Sequence, residues 1–97
     1  MYVRMVIGEA FSEHQLREFR SVWNEEVLPM LKEEEGILNP AEFLIEEGGS
    51  LLVIMTYWQS REACLKYHAS RSYRDFVSKT KHLLIGDFVV KVFRAAD

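Results

Sequence analysis

Tyr67, His68 and Tyr73 put two phenols and an imidazole within one short stretch of chain. An imidazole titrates near neutrality, so His68 could take the proton of a phenol at physiological pH. Loss of that proton raises electron density on the ring and eases one-electron transfer to oxygen. Trp58, Thr56, Tyr73 and Phe76 would add aromatic walls with few polar groups, a lining suited to a planar phenolic ligand. The candidate catalytic residues are therefore His68 and Tyr67, and the candidate substrate contacts are Trp58, Thr56, Tyr73 and Phe76. The same residues have plainer readings: His68 on the outer edge of a helix, Tyr67 and Tyr73 in the core with hydroxyls reaching water. His14 begins a helix and His82 ends one, and both read as exposed. No pair of His, Cys or carboxylate residues has metal-ligand spacing, and there is no Gly-rich phosphate loop or nucleophile elbow. Neither a metal nor a bound cofactor is expected.

The elements that must position these residues are legible in the pattern. Tyr2 to Gly8 reads as a strand ended by glycine. Ser12 and Gln15 form a capping-box pattern, and Leu16, Phe19, Trp23, Val27, Met30 and Leu31 follow at helical spacing. Gly36 supplies the stop. Pro29 lies inside this helix, where the missing N–H predicts a kink that keeps the stripe in phase. Ile37 to Glu46 and Leu51 to Gln59 read as strands joined by the turn Glu47-Gly48-Gly49-Ser50. Ser60 caps a helix to about Ser70. A reset at Ser70-Arg71-Ser72 leads into another, with Tyr73, Phe76, Val77, Thr80 and Leu84 apolar. Gly86-Asp87 turns the chain into a last strand, Phe88 to Arg94. The order β-α-β-β-α-α-β predicts a single α+β domain over residues 1–97: a ferredoxin-like, four-stranded antiparallel sheet with helices on one face.

The strands predict a partner. A sheet with one wet face alternates apolar and polar residues. Here Leu51, Val53, Met55 and Tyr57 oppose Leu52, Ile54, Thr56 and Trp58, and in the last strand Phe88, Val90 and Val92 oppose Val89 and Phe93. Both faces are apolar, yet helices can cover only one. A second copy of the sheet is the simplest cover, so a homodimer is expected.

Composition excludes other classes. The 97 residues are 48% hydrophobic and 28% charged, which is ordinary for a folded domain. No apolar run approaches the ~20 residues needed to cross a bilayer, and the N-terminus has no signal-peptide pattern, so no membrane is expected. Residues 1–59 carry net −7 and residues 60–97 net +4, leaving −3 overall. The basic excess on the later helices reads as a solvated face, or as a positive rim favouring an anionic ligand. The acidic balance makes nucleic acid a poor partner. Cys64 is the lone cysteine, reads as a small buried hydrophobe, and fits a cytoplasmic location.

Thr56-Tyr57-Trp58-Gln59-Ser60-Arg61-Glu62-Ala63, followed by Tyr67, Ser70 and Phe76, resembles the antibiotic biosynthesis monooxygenase family. The stretch Trp23 … Val27-Leu28-Pro29 … Gly36 is similar to that family's first helix and its exit. The resemblance covers nearly the whole chain and implies a dimeric α+β barrel with a cleft between sheet and helices. It also implies cofactor-free oxygenation of a small quinol or phenol. Haem-degrading relatives use Asn, Trp and His where this chain has Ile7, Tyr67 and Val77, so haem oxygenation is not expected. Polyketide-oxidising relatives place Asn and Tyr where Ile54 and Cys64 stand here, while Trp58 is retained. Two other readings remain beside the monooxygenase: a non-catalytic dimeric ligand-binding domain, and an isomerase or lyase on the same barrel.

Overall fold

Along Leu51–Trp58 every second residue is buried: Leu52, Ile54, Thr56 and Trp58 are covered, and their neighbours are half-exposed. This strand, β3, lies at the centre of the sheet, whose order is β2-β3-β1-β4. The computed structural model describes residues 1–96, at 39 and 40 the backbone alone. The other strands are β1 (Tyr2–Glu9), β2 (Ile37–Ile45) and β4 (Val89–Arg94), and every pairing is antiparallel. In β1 the buried phase is Arg4, Val6 and Gly8, set opposite Thr56, Ile54 and Leu52 of β3.

Between the strands run α1 (Glu13–Val22), a π-helical turn (Trp23–Val27), α2 (Leu28–Leu31), α3 (Arg61–His68), α4 (Arg71–Thr80) and a 3₁₀ turn (Lys81–Leu83). Three serines open α1, α3 and α4. Ser12, Ser60 and Ser70 accept through Oγ from the N–H groups of Gln15, Ala63 and Tyr73, which satisfies otherwise unpaired donors. The apolar stripe expected to reach Leu84 leaves the α-helix at Thr80; the 3₁₀ turn then carries Leu83 and Leu84 into the core.

The kink that Pro29 predicts takes the form of one widened turn. Leu28 N–H bonds the Trp23 carbonyl, five residues back, so the helix absorbs the proline before reaching it. Trp23, Val27 and Leu31 all stay buried, and the stripe keeps its phase.

The helices pack on one face of the sheet. Phe19 of α1 is the hub, its ring centroid 5.3 Å from Phe76, 5.8 Å from Phe88 and 5.9 Å from Phe43. Gly8 eases the approach of Phe88, because a Cβ there would stand 3.0 Å from the ring and push it back by a few tenths of an ångström. The opposite face is uncovered. Val3, Met5 and Ile7 of β1 and Val53 and Met55 of β3 are half-exposed there, flanked by exposed Leu44, Val89 and Phe93.

Candidate functional site

The site is organised by a residue that the motif reading passed over. Arg4 sits in the buried phase of β1 and is 2% exposed. Its guanidinium lies 4.2 Å over the Tyr73 ring centroid and 5.4 Å from that of Tyr67. Nη2 donates to His68 Nδ1 at 2.9 Å, and Nε has no partner among the described residues. Among the described residues no carboxylate pairs with Arg4; the five ion pairs all involve other side chains. The available signal was phase: a cation two residues before Val6 and four before Gly8 shares their inward face.

The backbone beneath Arg4 is held by two of the expected contact residues. Trp58 Nε1–H donates to Thr56 Oγ1 at 2.9 Å, and the Thr56 hydroxyl donates to the Arg4 carbonyl at 3.5 Å. Both side chains are sealed, Trp58 completely, and the indole stacks on Tyr67 with centroids 5.2 Å apart. Trp58 and Thr56 are thus a floor under the site.

The other four candidates divide between two cavities. His68 and Tyr73 line a cleft of about 530 Å³ between α4 and β4, with Arg74, Lys81, Asp87 and Phe88 also on its walls. Tyr67 and Phe76 face a smaller space of about 100 Å³ between α4 and the α1–π–α2 helix. Neither cavity is lined by Trp58 or Thr56. Of the six residues expected around one pocket, Thr56, Trp58, Tyr67, Tyr73 and His68 form a continuous cluster with an opening on either side, while Phe76 belongs to the neighbouring aromatic group of Phe19, Trp23 and Phe88. Tyr67 and Tyr73 join the halves, their centroids 5.6 Å apart.

Electrostatics within the cluster follow from Arg4. A guanidinium carries only donors, so the Nδ1 that meets it must accept. His68 is then the neutral imidazole with its proton on Nε2, on the side of the ring turned away from Arg4. Partial burial, and then the Arg4 charge, hold the His68 imidazole below its ordinary value. Burial pushes the Tyr67 phenol up to about 12, with Arg4 opposing the rise, so this hydroxyl stays protonated. Burial also raises the Cys64 thiol against the same guanidinium, and Cys64 is a fully covered apolar residue as expected. His14 pairs with Glu18 on the exposed face of α1.

Residues 1–79 match the antibiotic biosynthesis monooxygenase family. The chain belongs to it. No curated protein matches the sequence. Among solved structures, a candidate antibiotic biosynthesis monooxygenase from Deinococcus radiodurans superposes with a TM-score of 0.85 at 16% identity, over 100% of this chain and 94% of the other. The monooxygenase from the ActVA-Orf6 gene of Streptomyces coelicolor, in complex with nanaomycin D, gives 0.83 at 18%, over 99% and 89%. SnoaB, a cofactor-independent oxygenase from Streptomyces nogalater, gives 0.80 at 14%, over 99% and 93%. At these identities the likeness is one of fold.

The match to the monooxygenase family ends at residue 79, before Lys81, Asp87, Phe88 and Val90. One wall of the larger cleft is therefore built from residues beyond the matched span. Among the described residues no helix is long and apolar enough to cross a membrane.

Proposed function

We propose that this member of the monooxygenase family oxidises a small electron-rich aromatic, a quinol or another phenol, in the α4–β4 cleft without a bound cofactor. The observation that carries this reading is a cleft of about 530 Å³ walled by Tyr73, Phe88 and His68, with a buried guanidinium behind the imidazole. The volume and aromatic walls suit a planar ring, and cationic backing favours electron-rich, ionisable ones. The reaction class is borrowed from relatives of the same fold, one described as a monooxygenase and one as a cofactor-independent oxygenase.

The substrate supplies the electrons. For a ring methylene between phenolic rings, loss of one proton to solvent water leaves a carbanion. One electron passes to O₂, and the carbon radical and superoxide combine into a peroxide. Protonation and loss of water then leave a carbonyl. All four electrons that reduce O₂ come from the substrate carbon, and the products are a ketone and water. His68 and Tyr73 are the polar side chains of the aromatic cluster that line this cleft and could hydrogen-bond the reacting ring.

The test is oxygen uptake by metal-stripped protein against a panel of hydroquinones and anthrones. Uptake well above the spontaneous rate, with a ketone product, supports the reading. Uptake at the spontaneous rate leaves the second reading, a non-catalytic dimeric domain that binds small ligands in the same cleft.

The working unit in this reading is a homodimer of one domain, residues 1–97, in the cytoplasm. Its support is the uncovered apolar sheet face, where Val3, Met5, Ile7, Val53 and Met55 lie in one field. A second sheet packed there would close a barrel of two sheets and bury more than ~1,000 Å². A buried unpaired thiol at Cys64 suits a reducing compartment.

A further inference from the structure

We infer that the α4–β4 cleft takes its aromatic ligand as an anion, with the ligand's charged oxygen on His68 Nε2–H and Arg4 acting through His68 as the residue that orients this donor. The inference rests on the cleft as an aromatic-binding site, and does not require that the bound ring be oxidised.

Three observations converge on it. The first is an uncompensated buried cation. Arg4 is 2% exposed, its Nε has no partner among the described residues, and its hydrogen-bonded neighbour is a neutral imidazole. Removing a guanidinium from water is costly unless an anion or a full set of acceptors is supplied. Two tyrosine faces offset part of this, but neither brings a negative charge. An anion in the cleft would complete the arrangement, whereas a neutral ring would not.

The second observation is directional. Because Arg4 can only donate, it fixes the His68 tautomer and leaves a single donor on the far side of the ring. His68 lines the cleft, so that N–H is its polar offering to a ligand. With Nδ1 engaged and Nε2 protonated, neither nitrogen has a free lone pair to act as the base first expected of His68. Its role here is to stabilise an oxyanion, and the Arg4 charge behind the imidazole strengthens that donor.

The third is the charge around the cleft. Arg4 on β1 and Tyr73 on α4 meet His68, and Arg74 on α4, Lys81 on the 3₁₀ turn and Asp87 ahead of β4 line the same cleft. Three cations stand against one carboxylate, although the whole chain carries net −3.

The experiment compares three naphthalene probes on the full chain by fluorescence titration near neutral pH: 2-naphthoate, the neutral 2-naphthamide, and 2-naphthol. We expect 2-naphthoate to bind at least ~10-fold tighter than 2-naphthamide, a difference of about 1.4 kcal/mol. Bound 2-naphthol should show naphtholate absorption below the pH at which the free phenol ionises. A response to the carboxylate alone or to the naphtholate alone still supports an anion site, and says which oxyanion it prefers. Arg4→Gln should abolish the preference, and His68→Gln, which keeps an outward N–H, should retain part of it. In the unmodified protein, long-range ¹H–¹⁵N spectra should show His68 as the Nε2–H tautomer. That readout needs no variant to fold. Equal binding of 2-naphthoate and 2-naphthamide overturns the inference, as does a preference that survives in folded Arg4→Gln or an Nδ1–H tautomer at His68. If no probe binds, the cleft reading itself fails, whereas absent oxygen uptake with anion preference intact removes only the oxidation.

Discussion

Arg4 and His68 stand 64 residues apart in the chain, yet Arg4 Nη2 lies 2.9 Å from His68 Nδ1. Strand β1 supplies the cation from the buried face of the sheet, and the last residue of α3 supplies the imidazole. Their contact sets which nitrogen of His68 carries the proton, and with it what the imidazole can do.

That contact has an energetic consequence. A guanidinium buried without an anion contributes little to folding, and an apolar side chain of similar reach should fill the space as well. Arg4→Met should therefore unfold at a urea concentration no lower than the parent protein. The lost cation–π contacts, ~0.5–2 kcal/mol each, are offset by the removed desolvation cost. Chemical denaturation followed by tryptophan fluorescence checks this, and a clear loss of stability would show that Arg4 is structural.

The pH dependence has a defined sign. The folded state holds the His68 imidazole below its ordinary value of 6.5, so on acidification the unfolded chain takes up that proton first. Stability should fall as pH drops through 6.5 toward the lower folded value, and be fully present above it. Comparing denaturation midpoints at about pH 7.5 and about pH 5.5 reads the effect. The acid-side loss should be smaller in His68→Gln, which has no imidazole to charge. An identical loss in both proteins would assign it to other groups.

The uncovered sheet face predicts the behaviour of Val53→Glu. Val53 lies between Ile7 of β1 and Leu44 of β2 on that face, away from the helices. A carboxylate there should leave the fold of one chain intact and place an unpaired charge in the dimer interface. Multi-angle light scattering at micromolar concentration should show a dimer for the parent chain and a monomer, or loss of solubility, for the variant. A monomeric parent chain would end the dimer proposal.

Gly36 is required twice. Its φ is +81°, and a Cβ there would stand 2.6 Å from Ala63 Cβ at the start of α3. Gly36→Ala should therefore combine backbone strain of ~1 kcal/mol with ~1–3 kcal/mol of overpacking, lowering the thermal midpoint by several degrees. Calorimetry measures it directly, and an unchanged midpoint would mean that the exit of α2 can move away from α3.

Much of this protein is written in local pattern. The alternation along β3, the serines before α1, α3 and α4 and the stripe from Leu16 to Leu31 each depend on residues close in the chain. Such regularities report element type, face and order, and the two-sided apolar strands report that one sheet face needs a cover. That Trp58, Thr56, Tyr67, His68 and Tyr73 lie close together was also legible, because three of them lie on two consecutive helices and two on the strand that leads into them. Only the tertiary structure decided which of the six candidates line a cavity, which are sealed, and what His68 faces. The antiparallel pairing of β1 with β3 sets Arg4 opposite Thr56, and the packing of α3 and α4 on that face brings His68 and Tyr73 to the same guanidinium. A hydrogen bond between residues 64 positions apart leaves no trace in any local period, yet a lone cation in a buried phase has to find partners somewhere.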